Sequence, residues 1–166
     1  MGGFLDRLEH EYSVIEKHKP INAKPDSRIQ KYKIKDNFLN FWFRFIYKNR
    51  SAVETGNFQY VKDLILRDFS TFSGIMLERF FCDIFNATGK YNRIGSYWEK
   101  GNQNEIDLVA VNDMQKRLVV AEIKLNSDRI NISVLKNKAA RMLTDFKNYE
   151  VEFLALSLDD TVNYLK

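Results

Sequence analysis

Two short runs of charge interrupt the apolar second half of this 166-residue chain. The first is Glu105-Ile106-Asp107 and the second is Glu122-Ile123-Lys124. Each falls in a segment of strand-like composition, Glu105 to Asn112 and Leu118 to Leu125. Successive side chains on a strand alternate between faces, so Glu105 and Asp107 share one face, and Glu122 and Lys124 share one face of the next strand. If the strands are neighbours, three acids and one amine converge on a small patch. Oxygen donors beside an amine suit metal-dependent cleavage of a phosphodiester. Spacing alone is weak support, because Glu-x-Lys arises by chance roughly once per 200 residues at ordinary composition.

Placement strengthens the pattern. One face of the first strand reads Ile106, Leu108, Ala110, and the other Glu105, Asp107, Val109, Val111. On the second, Val119, Ala121 and Ile123 oppose Leu118, Val120, Glu122 and Lys124. Both strands are apolar on both faces for most of their length, which predicts cover on both sides. Glu78 adds a fourth acid on a helical stretch, amid Gly74, Ile75, Phe81, Cys82 and Phe85 at helical spacing. A lone carboxylate there would be costly to desolvate, so Glu78 is expected to reach the cluster. Four acids against Lys124 leave an excess of three negative charges, which a bound cation would relieve. All-oxygen ligation selects Mg²⁺ or Mn²⁺. The alternative is a set of surface acids that never meet.

These residues need a scaffold, and the patterning predicts one. Phe4, Leu5 and Leu8 form a short helical stripe, Tyr12 to Ile15 starts a strand, Lys19-Pro20 through Pro25-Asp26-Ser27 is turn-rich, and Tyr32 with Ile34 suggests a return strand. Together they read as the back half of a winged helix, whose earlier helices would precede Met1. Asp36 caps an aromatic helix from Asn37 to Tyr47, expected to be buried. Helices fit Phe58 to Arg67 and Phe69 to Asn86, the latter closed by Gly89. Three strands follow, Tyr91 to Glu99, Glu105 to Asn112 and Leu118 to Leu125, with turns at Gly101-Asn102 and Asn112-Asp113. A helix over Ile132 to Asn148, a strand over Val151 to Leu158 and a helical turn within Asp160 to Lys166 complete the chain. The expected division is residues 1–35, a partial winged helix; 36–68, a helical connector; and 69–166, an α/β domain.

Composition excludes several classes. Hydrophobic residues make up 45% and aromatics 14%, enough for a packed core. The single cysteine, Cys82, excludes a disulfide framework, and His10 and His18 lack ligand spacing for zinc. No apolar run reaches membrane-spanning length and no signal peptide is visible, so a cytoplasmic chain without a membrane partner is expected. The net charge is +4, with bases crowded between Ile15 and Arg50. A concentrated basic segment is the footprint of a polyanion such as DNA, or else a solvated face. Lys31, Lys33, Arg44 and Arg50 are the candidate phosphate contacts, with Lys136 and Arg141 on the later helix as lesser ones.

Glu78, Asp107 and Glu122-Ile123-Lys124, in the order helix, three strands, helix, strand, resemble the PD-(D/E)XK nuclease superfamily and its restriction-endonuclease-like core. The resemblance implies that Asp107, Glu122 and the Ile123 carbonyl bind the metal, with Glu78 and Glu105 as further candidate ligands. It also implies that Lys124 orients or activates water and that Glu78 completes the site. Ile106 stands where such motifs usually have proline. A broader resemblance rests on Tyr32 to Leu39, Phe41-Trp42-Phe43-Arg44-Phe45 and Asn104 to Val111, which look like the C-terminal region of a bacterial and archaeal P-loop ATPase family. That family implies an N-terminal ATPase in the same full-length protein. No G-x-x-x-x-G-K occurs in this chain, so no nucleotide site is expected here and the ATPase would lie before Met1. The expected function is therefore a nuclease-like, DNA-associated domain of a larger ATPase. The alternative is a catalytically inactive DNA-binding or protein-docking module.

Overall fold

A computed structural model describes residues 2–24 and 26–164. Pro25 in the turn-rich segment, and Leu165 and Lys166 in the tail, lie outside the described residues. The chain forms two compact units, one of residues 1–18 and 31–73, the other of residues 19–30 and 74–166.

In the first unit, α1 (Gly2–His10) leads into an antiparallel hairpin of β1 (Ile15–His18) and β2 (Lys31–Ile34). Lys31, Lys33 and Lys35 alternate with Tyr32 and Ile34, as the strand pattern predicts. Asp36 caps α2 (Asn37–Phe41), its Oδ1 accepting the Leu39 N–H at 2.7 Å. The aromatic stretch is not the single buried helix expected. It passes through a π-helical turn at Trp42–Ile46 and a 3₁₀ turn at Tyr47–Asn49 before α3 (Arg50–Glu54). Phe45 alone is fully buried, tilted against Phe41 and edge-on to Phe72, while Phe38, Phe43 and Tyr47 are exposed. Aromatics spread around a helix cannot all face one core, and a wider turn redirects some of them outward.

The two helices expected between Phe58 and Asn86 are one helix, α4 (Phe58–Ala87). Nothing at Arg67-Asp68-Phe69 removes a backbone donor or demands positive φ, so the helix has no reason to stop. Asp68 instead takes the Arg67 guanidinium in two hydrogen bonds of 2.8 Å.

The second unit is a mixed α/β structure built on a four-stranded sheet in the order β3-β4-β5-β6. These strands are Arg93–Tyr97, Ile106–Asn112, Arg117–Ile123 and Glu150–Leu156. The first two pairings are antiparallel and β5–β6 is parallel, with α5 (Ile132–Leu143) as the crossover. Leu135, Ala139, Met142 and Phe146 cover one face, against Val109, Val111, Leu118 and Val120. Leu77, Phe81 and Phe85 of α4 cover the other, against Leu108, Ala110, Val119, Ala121 and Ile123. Both middle strands are thus buried on both faces. The short α6 (Thr161–Tyr164) sets Tyr164 against Phe81.

Several boundaries differ from the expectations. The α-helical part of the crossover ends at Leu143, and the chain tightens into a 3₁₀ turn at Thr144–Phe146. The β3–β4 connection is longer than a two-residue hairpin and places Gly101, Asn102 and Asn104 at positive φ. The β1–β2 connection is not a simple basic loop. Residues 19–30 pack with the second unit, where the Ile21 N–H donates to the Ser96 carbonyl at 3.0 Å and Asn22 donates to Asp145 at 2.9 Å. This cover on β3 satisfies part of an edge that would otherwise invite pairing.

The β4–β5 turn is held by Asp113, which accepts hydrogen bonds from Arg93, Asn92 and the Tyr149 hydroxyl, the last at 2.6 Å. Arg93, then Asn92 and Tyr149, hold this carboxyl well below the usual carboxylate range. Its stabilising contribution is therefore complete above the ordinary value of 3.8 and is lost as the pH falls below it. Asp113→Asn should lower stability at neutral pH by about 1 kcal/mol, a figure discounted for solvent screening. In urea melts across pH, the gap between wild type and variant should be flat above pH ~5 and should narrow as the pH falls through ~4.

Candidate functional site

The β4–β5 ladder ends at Leu108 opposite Ala121, while β5 continues beside β6 to Ile123 opposite Leu156. The sheet therefore forks just where the two charged runs stand. Continuing the register by one step sets Asp107 opposite Glu122, on the face covered by α5.

With no β4 backbone partner beyond the fork, Ile123 turns to a side chain. Its N–H donates to Asp107 Oδ2 at 2.8 Å. Lys124 Nζ donates to the same oxygen at 3.0 Å and lies 3.2 Å from Glu122 Oε1. One ammonium thus bridges both carboxylates. The Asp107 and Glu122 side chains are only 10% and 12% exposed, so solvent offers little compensation. Burial alone would depress the Lys124 pKa. The charges and hydrogen bonds of Asp107 and then Glu122 outweigh it and hold the group above the ordinary lysine value. Lys124 is an ammonium at neutral pH.

A second amine belongs to the cluster and escaped the sequence reading. Lys138 of α5 donates to Glu122 Oε1 at 3.0 Å and to Oε2 at 2.9 Å. A signal was present: Lys138 stands three residues after Leu135 and four before Met142, both fully buried. That is the packed stripe of the helix, where a charge needs a partner. Lys138 thus adds a second ammonium to a cluster for which Lys124 was the only expected cation.

The other candidates are placed as follows. Glu78 is half-buried on α4, between Leu77, which packs on the sheet face opposite Asp107, and Arg79. Glu105 is exposed, one residue before β4 begins. Among the described residues, no three His, Cys, Asp or Glu side chains stand together in an arrangement that could hold a metal. Cys82 is a half-buried thiol, and His18 Nε2 faces Glu16 Oε1 at 2.8 Å. Lys31 and Lys33 lie on β2, and the guanidinium groups of Arg44 and Arg50 sit over the rings of Phe45 and Tyr47. On α5, Lys136 Nζ lies 5.5 Å from the Phe153 ring centre. The exposed Arg141 meets Glu99 at 3.2 Å.

Residues 42–143 match the family model DUF234, described as archaeal and bacterial proteins of unknown function, and the chain belongs to that family. Glu78, Asp107, Glu122, Lys124 and Lys138 all fall within the matched residues, whereas the lysines of β2 precede them. An uncharacterized protein of Methanocaldococcus jannaschii is 35% identical over 121 residues, covering 69% of this chain and 27% of that protein. The chain thus spans about a quarter of the length of this curated relative. No solved structure matches it.

The fork makes a stability prediction. Asp107→Ala leaves the Ile123 N–H and the Lys124 ammonium without their shared acceptor. It should destabilise the fold by about 3 kcal/mol in urea unfolding. A loss below about 1 kcal/mol would mean that water replaces the carboxylate readily.

Proposed function

We propose that the β4–β5 fork is a hydrolytic site for nucleic-acid phosphodiesters that requires Mg²⁺ or Mn²⁺, within a restriction-endonuclease-like, PD-(D/E)XK domain. The observation that carries this reading is Asp107 and Glu122 at facing positions with the Lys124 ammonium between them. The donor set suits a hard cation: carboxylate oxygens, with the Ile123 carbonyl between Glu122 and Lys124 in sequence. Asp107, Glu122 and that carbonyl would hold the ion, with Glu78 and Glu105 assigned outer places. When bound, the cation lowers the pKa of a water and offsets charge on the phosphate.

The chain's own residues supply the rest. Lys124 carries its ammonium between the two acids. Its part is to orient the attacking water or to donate to a phosphate oxygen as negative charge builds. Lys31, Lys33, Arg44, Arg50, Lys136 and Arg141 are the proposed DNA contacts, which position the phosphate backbone without reading sequence. In this reading α1 and the β1–β2 hairpin are the remnant of a winged helix. The proposed partner is an ATPase region of the same full-length protein, for which the greater length of the archaeal relative leaves room.

A second reading is a DNA-binding or protein-docking module without catalysis. It is favoured by the Lys138 ammonium, which engages both Glu122 oxygens.

Titration of Mg²⁺ or Mn²⁺ against plasmid and branched DNA separates the two. Cleavage should require the metal and fall at least about a hundredfold in both Asp107→Ala and Lys124→Ala. Wild type that cuts no substrate at any metal concentration would leave the binding module as the function. DNA affinity should fall steeply with salt, with a log–log slope of about −0.9 per phosphate contact. Replacing Lys31 and Lys33 with Ala should flatten that slope by about two contacts. A flat wild-type response would point to protein docking.

A further inference from the structure

We propose that Lys138 is a resident counter-ion that holds the place of a divalent cation on Glu122, so that metal binds by exchange with its ammonium. This rests on the hydrolytic reading of the fork and adds to it the state of the site before metal arrives.

Glu122 is the one buried charged residue among the described residues, and its position on β5 leaves it no retreat to solvent. A buried carboxylate persists only with positive charge beside it. Lys124 supplies part of that charge from the same strand, 3.2 Å from Oε1, but divides itself with Asp107. Lys138 comes from across the α5 interface and covers both oxygens at near-ideal distances, 3.0 and 2.9 Å. That two-oxygen engagement is what a cation on Glu122 would need for itself. Cation and ammonium therefore compete for the same lone pairs.

The exchange is sterically open. The Lys138 side chain is 28% exposed, against 12% for Glu122, and its ammonium ends a flexible four-carbon stem. One turn away, the Arg141 side chain is 78% exposed even as it meets Glu99. A displaced ammonium has water on that side. Glu122 and Asp107, by contrast, stay fixed by the strands. Withdrawing Lys138 also removes one positive charge from beside Glu122, which a cation would restore.

Binding of Mn²⁺ alone, followed by the free-ion EPR signal, tests the exchange without any nuclease assay. Lys138→Met keeps the aliphatic stem that packs beside Leu135 and Met142 while removing the charge. It should bind Mn²⁺ about tenfold more tightly than wild type. Lys138→Arg, which restores a two-pronged donor, should return to within about twofold of wild type. Lys116→Met, at the far end of β5, makes the same change in net charge and should leave affinity unaltered. Circular dichroism confirms the fold of each variant, and Lys138→Gln replaces the Met variant if that one does not fold. Equal or weaker Mn²⁺ affinity in the uncharged variant would overturn the exchange while leaving a metal site standing. Absence of Mn²⁺ binding in every variant would overturn the hydrolytic reading and the exchange with it.

Discussion

The site depends on one carboxylate oxygen, Asp107 Oδ2, which accepts from a backbone N–H and a side-chain ammonium at once. The Ile123 N–H has lost its β4 partner where the sheet forks, and a buried amide left unsatisfied is a large penalty. By accepting it, Asp107 fixes the end of β5 against β4 without a ladder bond. The same oxygen then draws Lys124 inward and orients it towards Glu122. Strand pairing, burial and charge are thus satisfied by one atom, and none of the three can change alone.

The fork could not persist without β6. Parallel pairing continues to Ile123, and the Lys124 N–H donates to the Leu156 carbonyl at 3.1 Å. Beyond that point Ser157 is anchored to Asp160 Oδ2 through both its N–H and its hydroxyl, each at 2.7 Å. The strand that presents Glu122 and Lys124 is therefore held on the side away from Asp107. Its far edge supplies rigidity, and its near edge has no ladder partner on β4 beyond Ala121.

Much of this arrangement was legible in the residues. Alternation in Ile106 to Val111 and Leu118 to Ile123 marks two strands buried on both faces, and the register then sets Asp107 beside Glu122. The limit was reached where information crosses between distant segments. Lys138 lies on a helical stripe with Leu135 and Met142, yet nothing local tells which strand acid it will meet. The packing of residues 19–30 with the second unit is equally hidden, because it depends on a non-local hydrogen bond from Ile21 to Ser96. Continuity of α4 was missed for a different reason. Arg67-Asp68 reads as a polar interruption, but both residues are compatible with a helix, and only glycine or proline would have marked a true break.

The two helices that cover the sheet divide its roles. The face under α4 is packed by Leu77, Phe81 and Phe85 and holds the strands together through apolar contact. The face under α5 begins the same way, with Leu135, Ala139 and Met142, but at the fork it changes to charge. Lys138 stands at that boundary. It allows a helix to close over two carboxylates that would otherwise repel each other and demand water. Two ammonium groups beside Asp107 and Glu122 let both acids be buried and fixed. On the proposed reading a cation enters by displacing an existing partner, so the stability of the fork and its affinity for metal would be opposed through one lysine.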